Sequence, residues 1–364
     1  MQTKTLTKAL GILSGSCNPK HVLPVLCCVR VIAGAGKLLL ITTNLETSTE
    51  VELPYDGEKI NKCFNFKWLK AILKGTKMVV FTSTGVVIDG ISINSDFNVM
   101  EVDDFPLIHG ITTTGQIPAN VLNEVVREVS YCRSTDDMRP AMTGTLMRVS
   151  GKDVKFCGTD NSRLHVNHYT GIEGIPEGDY ILPSSLSNYT YDGMVDVGFA
   201  KGGGDDSIVQ VLLAWHTGEL FVCTTSRLVS AKFPAYEAVI PTSTKPLFVA
   251  DERFLPLLDI AAQNANDNVA KKITIEVTPK GVILTHHRTD IDVPMFEKYI
   301  ETQTGWEGTI AFNAAYLAAI VRLKGTCTVH GVNVVEADIP SSPVLLMNDD
   351  ESKTALLMPL LIMN

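Results

Sequence analysis

The residues whose types and spacing could do chemistry are few. His165 and His168 in "HVNH", with Asp160 nearby, and the adjacent pair His286 and His287 could be read as metal ligands. In a strand, however, three-residue spacing sends two rings to opposite faces, and adjacent rings diverge as well. The eight cysteines (Cys17, Cys27, Cys28, Cys63, Cys132, Cys157, Cys223 and Cys327) include no C-x-x-C pair. Most lie in apolar runs such as "VLPVLCCVRV", where cysteine is a small buried hydrophobe. No G-x-S-x-G, P-loop or G-x-G-x-x-G occurs, and "KGGGDD" (201–206) reads as a loop with no helix behind it to hold a phosphate. No enzyme, metal or cofactor is expected. The remaining pattern is cationic. "NFKWLKAILKG" (65–75) spaces Lys67, Lys70 and Lys74 three and four residues apart, along one helix face.

That stripe needs a helix to carry it. Phe66, Leu69, Ile72 and Leu73 project elsewhere toward a core, and Gly75 stands where a helix ends. The chain of 364 residues is otherwise acidic, with a net charge of −9. Such a balance argues against gripping nucleic acid over the whole surface but allows a local basic patch. Hydrophobic content of 45% and charged content of 20% describe a well-folded globular protein. No run of 18 apolar residues suggests a membrane span, and Lys8 interrupts the only stretch resembling a signal peptide. An intracellular, cytoplasmic protein is expected.

The chain repeats a pattern of helix, strands, helix, strands with a period of about 120 residues. First helices are "LTKALGILSG", "IPANVLNEVVREVSYC" and "DERFLPLLDIAAQNA"; second helices are "NFKWLKAILKG", the poor candidate "PSSLSNYTYDG" and "NAAYLAAIVRLKG". β-branched strands follow each, such as "KLLLITTNLETSTEVEL" and "ITIEVTPKGVILTHH". Boundaries fall after "VDDFPLI" and "FPAYEAVIP", giving domains 1–112, 113–243 and 244–364. The expected fold is α+β, with three similar domains, each two helices on antiparallel sheet. Basic residues recur on these helices or at their ends: Lys4, Lys8, Arg127, Arg133, Arg253, Arg322 and Lys324. Either they populate ordinary solvated faces, or equivalent helices collect positive charge on one concave surface that meets phosphates without reading bases.

"CGTDNSRLHV" resembles the T-D-G-H-R-L segment of the bacterial DNA polymerase III beta subunit, the sliding clamp. Thr159, Asp160, Arg163 and Leu164 match; Asn161 and Ser162 replace Gly and His. "DDMRPAMTG" keeps Arg139 and Gly144 of another stretch. "FPAYEAVIP" is similar to F-P-x-Y-x-x-V-[IL]-P, and "SSPVLL" and "ALLMPL" to the family's S-P-V-L-I and V-M-P-M endings. "VLPVLCCVRV…KLLLITTNLETS" matches an L-P-I-L and T-D-L-E pair, with Asn44 in place of Asp. The likeness covers nearly the full length in collinear order.

The resemblance implies a head-to-tail homodimer, each chain forming half of a closed ring of clamp domains around double-stranded DNA, without sequence preference and without catalysis. It implies tethering of a replicative polymerase, a clamp loader and other proteins bearing clamp-binding motifs. Weak, water-mediated phosphate contacts would let such a ring slide. By position, Lys20 matches a DNA-contacting residue, Arg133 and Arg139 lie in a middle-domain stretch that touches DNA, and Lys271 and Lys272 occupy a basic loop. With Lys67, Lys70, Lys74, Arg322 and Lys324, these form the expected DNA-facing set. Asp136, Pro140, Ala141, Ser184 and Ser185 depart from family patterns there, implying weaker contact by the middle domain. The implied partner cleft uses Met142, Thr159, Asn161, Ser162, Arg163, Leu164, Pro234, Val239, Pro343, Val344, Met358, Pro359 and Leu360. It is an apolar trough with methionine to accommodate varied peptides. Ala238 replaces a common basic residue, while Leu356 and Leu357 are expected in a buried strand. The alternative is a repeat-built interaction scaffold with no role on DNA.

Overall fold

The computed structural model describes residues 1–95, 97–106, 110–202, 208–263, 271–287, 294–332, 341–350 and 352–362. The expected boundary residues Leu107 and Ile108, Gly203 to Asp206 of "KGGGDD", and the end of "AAQNA" lie outside them. Every strand pairing described is antiparallel, and the fold is α+β. By contacts the chain groups into two compact units. One holds 1–126, 147–154 and 170–231; the other holds 127–146, 155–169 and 232–364.

The first unit is built on a nine-stranded sheet. Its strands run in the order 99–100, 60–65, 28–34, 37–43, 47–54, 220–227, 208–217, 194–201 and 113–118. Helix α1 (Thr3–Leu13) buries Leu6, Ala9, Leu10 and Leu13, at the i, i+3, i+4, i+7 spacing of an amphipathic helix, leaving Lys4 and Lys8 exposed. Helix α2 (Phe66–Ile72) starts where the Asn65 side chain accepts from the Trp68 amide at 3.0 Å. It buries Phe66 and Leu69, and Gly75 beyond it has φ of 75°, which glycine adopts without strain.

The first and second sequence thirds meet between strands 47–54 and 220–227, where the pairing is lined with hydroxyls. Thr47 bonds Ser226 at 2.7 Å and Ser185 at 2.8 Å; Thr49 bonds Thr224 at 3.1 Å and the Tyr189 hydroxyl at 2.7 Å. All these partners but Ser185 are buried, so each hydroxyl satisfies another that would otherwise be stranded away from water. The poor helix candidate after Pro183 is a short 3-10 turn, Ser184–Asn188. Helix α3 (Ala119–Glu128) is the predicted second opener.

In the second unit α4 is a single turn, Pro140–Thr143. Strands 163–169, 353–357, 344–347, 327–332 and 244–250 run side by side, and a separate four-stranded sheet orders 294–301, 281–287, 272–278 and 308–313. Asp251 caps the turn Glu252–Phe254 that leads into α5 (Leu255–Gln263). Asn313 caps α6 (Ala314–Lys324), accepting from the Ala315 and Tyr316 amides. Both helices pack on a core that includes Phe248, Phe254, Leu258, Ile275, Phe312 and Leu317.

Candidate nucleic-acid interface and partner cleft

Lys67 and Lys70 stand on α2 and Lys74 on the turn after it; all three are exposed. They wall a shallow groove of about 390 Å³ together with Ser14, Cys17, Pro19, Phe66 and Ala71. Lys70 lies over the Phe66 ring at 5.4 Å, so its stem packs while its ammonium stays in water. None of the three has a carboxylate partner within salt-bridge distance among the described residues. Lys20 is exposed on the loop that follows Pro19, beside the same groove. Lys67, Lys70 and Lys74 thus share one groove in the first unit, and Lys20 follows its lining residue Pro19 in the chain.

The other predicted cations are differently employed. Arg139 pairs with Asp136 at 3.3 Å, and Arg322 with Asp259. Arg133 is half-buried, donates to the Ser130 carbonyl at 3.1 Å, and burial lowers its pKa. Lys324 donates to the Lys353 carbonyl at 3.0 Å, and burial lowers its pKa too. Lys271 and Lys272 are half-buried, with Lys272 reaching the Leu361 carbonyl at 3.4 Å. Arg253 is held by Asp251 at 2.6 Å. Charge available to a phosphate is therefore concentrated around α2 rather than shared evenly among the predicted residues.

Part of the predicted cleft set, Thr159 to Leu164 with Val344 and Met358, comes together around one hairpin turn in the second unit. Thr159 Oγ1 donates to the Arg163 carbonyl at 2.8 Å, and Asp160 accepts the Ser162 and Arg163 amides at 2.9 and 3.0 Å. Asn161 sits at the tip with φ of 76°. Strand 163–169 then pairs with 353–357, setting Arg163 opposite Leu357 and Leu164 opposite Leu356, while Leu357 also faces Val344. The Met358 amide donates to the Ser162 carbonyl at 2.8 Å, and the Leu360 amide to the Ala311 carbonyl at 2.7 Å. Leu356 and Leu357 are buried, as expected, whereas Met358, Pro359 and Leu360 are half-exposed. Met142 is buried and joined to Ser134 through its carbonyl; Pro343 is half-exposed. Pro234 and Val239 lie outside this ladder, flanking the turn Tyr236–Val239, with Val239 exposed.

The tyrosines that bracket Arg163 are not in the predicted set. The guanidinium lies 3.9 Å from the Tyr316 ring centroid and 5.2 Å from that of Tyr131, and pairs with Asp160 at 2.9 Å. A planar cation between two rings is fixed in direction as well as charge. Tyr131 also bonds His165 Nδ1 at 3.2 Å. His165 is buried, and its pKa is pushed down to about 3 by burial and then by the charge of Lys324. Behind it, Glu128 accepts from Arg127, Lys353 and Asn167. Burial opposes its ionisation, but these three bonds prevail and hold its pKa below the usual range. Helical or strand periodicity cannot reveal the tyrosine bracket, because its rings come from distant stretches. Among the described residues, no group of three or more His, Cys, Asp or Glu could hold a metal ion, and no helix is long and apolar enough to cross a membrane.

No protein-family profile matches the chain. It is similar along its length to the beta sliding clamp of Rickettsia felis, 22% identical over 377 residues, covering 97% of this chain and 96% of that protein. The beta sliding clamp of Pseudomonas putida is 23% identical over 381 residues, covering 99% and 98%. Among solved structures, the beta subunit of DNA polymerase from Streptococcus pyogenes matches with a TM-score of 0.85 at 18% identity, over 99% and 98% of the two chains. The DNA polymerase sliding clamp of Bacillus subtilis matches with a TM-score of 0.82 at 19% identity, over 100% and 98%. The fold is that of the sliding clamps. Within that class, the chain is similar along nearly its whole length to bacterial beta sliding clamps, at 22–23% identity.

Proposed function

We propose that the protein is a DNA polymerase processivity factor, a homodimeric ring that encircles duplex DNA in the cytoplasm and catalyses nothing. The full-length likeness to beta sliding clamps carries this reading. The unpaired lysines of α2 support a surface that attracts phosphates gently, since exposed ammonium groups contribute a sequence-independent and salt-sensitive attraction. Each chain supplies three domains, 1–112, 113–243 and 244–364. The recurrence of a helix pair, with a 3-10 turn standing in for the second helix of the middle third, supports that division. Strand 294–301 is outermost in its sheet and exposes Met295, Glu297, Lys298 and Tyr299, an edge that a second copy can extend.

Replicative polymerase, clamp loader and other motif-bearing proteins dock as short peptides around Thr159–Leu164, Val344 and Met358–Leu360. Met142, Pro234, Val239 and Pro343 complete the trough. The half-exposed methionine and the bracketed Arg163 suit a varied apolar peptide with a polar end. The deciding experiment is retention on nicked circular DNA after loading. The protein should remain on the circle and be lost when the circle is cut. Replacing Lys67, Lys70 and Lys74 together with glutamate should cut loading or residence at least tenfold while leaving dimerisation unchanged. Equal retention on linear and circular DNA rejects the ring, and no DNA association at all favours the scaffold.

A further inference from the structure

The corner of the first unit that carries the lysine groove also gathers four thiols. Cys28 and Cys63 lie on neighbouring strands, where Cys28 faces Asn65 and Arg30 faces Cys63, and both are buried with Ile41 and Phe105. Cys17 and Cys27 are only half-buried. The Cys17 sulfur points at the Leu26 carbonyl, 4.0 Å away, and that carbonyl belongs to the peptide closed by the Cys27 nitrogen. Cys17 also lines the groove with Lys67, Lys70 and Lys74. The Cys27 thiol donates to the His21 carbonyl at 3.4 Å. Residues 18–26 between them hold a compact loop: His21 and Lys20 donate to Asn18 at 3.1 Å each, and Leu23 donates to His21 Nδ1 at 3.0 Å. This loop exposes Lys20 and, at 92%, Val22. Burial first, then the nearness of Cys27, raises the Cys17 pKa to about 12, with Lys70 acting in the opposite direction.

We propose that Cys17 and Cys27 are a dithiol site that a small-molecule disulfide of the glutathione class oxidises to an intramolecular bridge, locking the loop that carries Lys20. The Cys27 thiolate attacks one sulfur of the external disulfide and expels a thiolate, which takes up a proton. Cys17 then loses its proton to solvent, attacks the Cys27 sulfur and expels the second external thiolate, so that the two protons given up by Cys27 and Cys17 end on the two external thiols. Two protein thiols are oxidised and one external disulfide is reduced to two thiols. Cys17 is the slower partner, because only its thiolate attacks and it is held mostly protonated. The inference stands whether or not the chain encircles DNA.

The test uses the full chain with oxidised glutathione at neutral and alkaline pH, followed by alkylation and peptide mass mapping. The expected product lacks two free thiols, is two hydrogens lighter, and yields a linked Cys17–Cys27 peptide that forms several-fold faster at alkaline pH. Cys17→Ser should stop at a stable glutathione adduct on Cys27. A stable adduct on Cys27 of the unaltered chain, a bridge between Cys28 and Cys63 or between Cys27 and Cys28, or no reaction would each overturn the proposal.

Discussion

Asn161 holds a backbone conformation that most side chains resist. Its φ of 76° lies in the left-handed region, which asparagine tolerates better than branched residues. Asn161→Gly should leave stability within about 0.5 kcal/mol, whereas Asn161→Val should cost about 1–2 kcal/mol; urea midpoints of the two variants decide. His165 offers a second test at this scale. Its folded pKa of about 3 lies far below that of the unfolded chain, about 6.5. The contribution is present above the unfolded value and is lost as pH falls toward the folded one, since the unfolded chain takes up a proton the native one refuses. Between pH 6.5 and 5, stability should fall by up to about 1.4 kcal/mol per pH unit from this group. Denaturation of His165→Gln over the same range should show a shallower slope. An unchanged slope would place the proton elsewhere.

At the scale of elements, α2 and α6 were legible because Asn65 and Asn313 stand at their starts and apolar residues recur at helical spacing behind them. The second helix of the middle third was not. Pro183 followed by serines favours a tight turn, and Ser184–Asn188 closes as a 3-10 turn instead. Within the cleft, the Thr159–Leu164 turn could be read from its Asp160 and Asn161, but the Tyr131 and Tyr316 rings around Arg163 could not. Nor could the carbonyl partners that occupy Lys324. Strand pairing between 47–54 and 220–227 makes its own prediction. Thr49→Val keeps the shape but deprives Thr224 and the Tyr189 hydroxyl of a buried partner, which should cost about 1–3 kcal/mol. The paired change Thr49→Val with Thr224→Val should recover part of that loss in a double-mutant cycle.

For the whole molecule, the prediction concerns how charge and topology divide the work. A subunit of 39.6 kDa should elute as a dimer. If encirclement holds it, raising salt should weaken its contact with linear duplex steeply yet barely shorten its residence on a closed circle. Parallel loss on both substrates would mean that lysines alone hold it. The net charge of −9 fits this division, because the acidic chain still gathers three exposed lysines in the groove around α2.

The hydroxyl-lined seam has a thermal consequence. Burial of hydrocarbon loses its drive on cooling, whereas a join made by Thr47, Thr49, Thr224 and Ser226 depends much less on ordering of water around apolar surface. That seam should therefore hold in the cold and slacken first on warming, making it the place where amide exchange accelerates earliest as temperature rises.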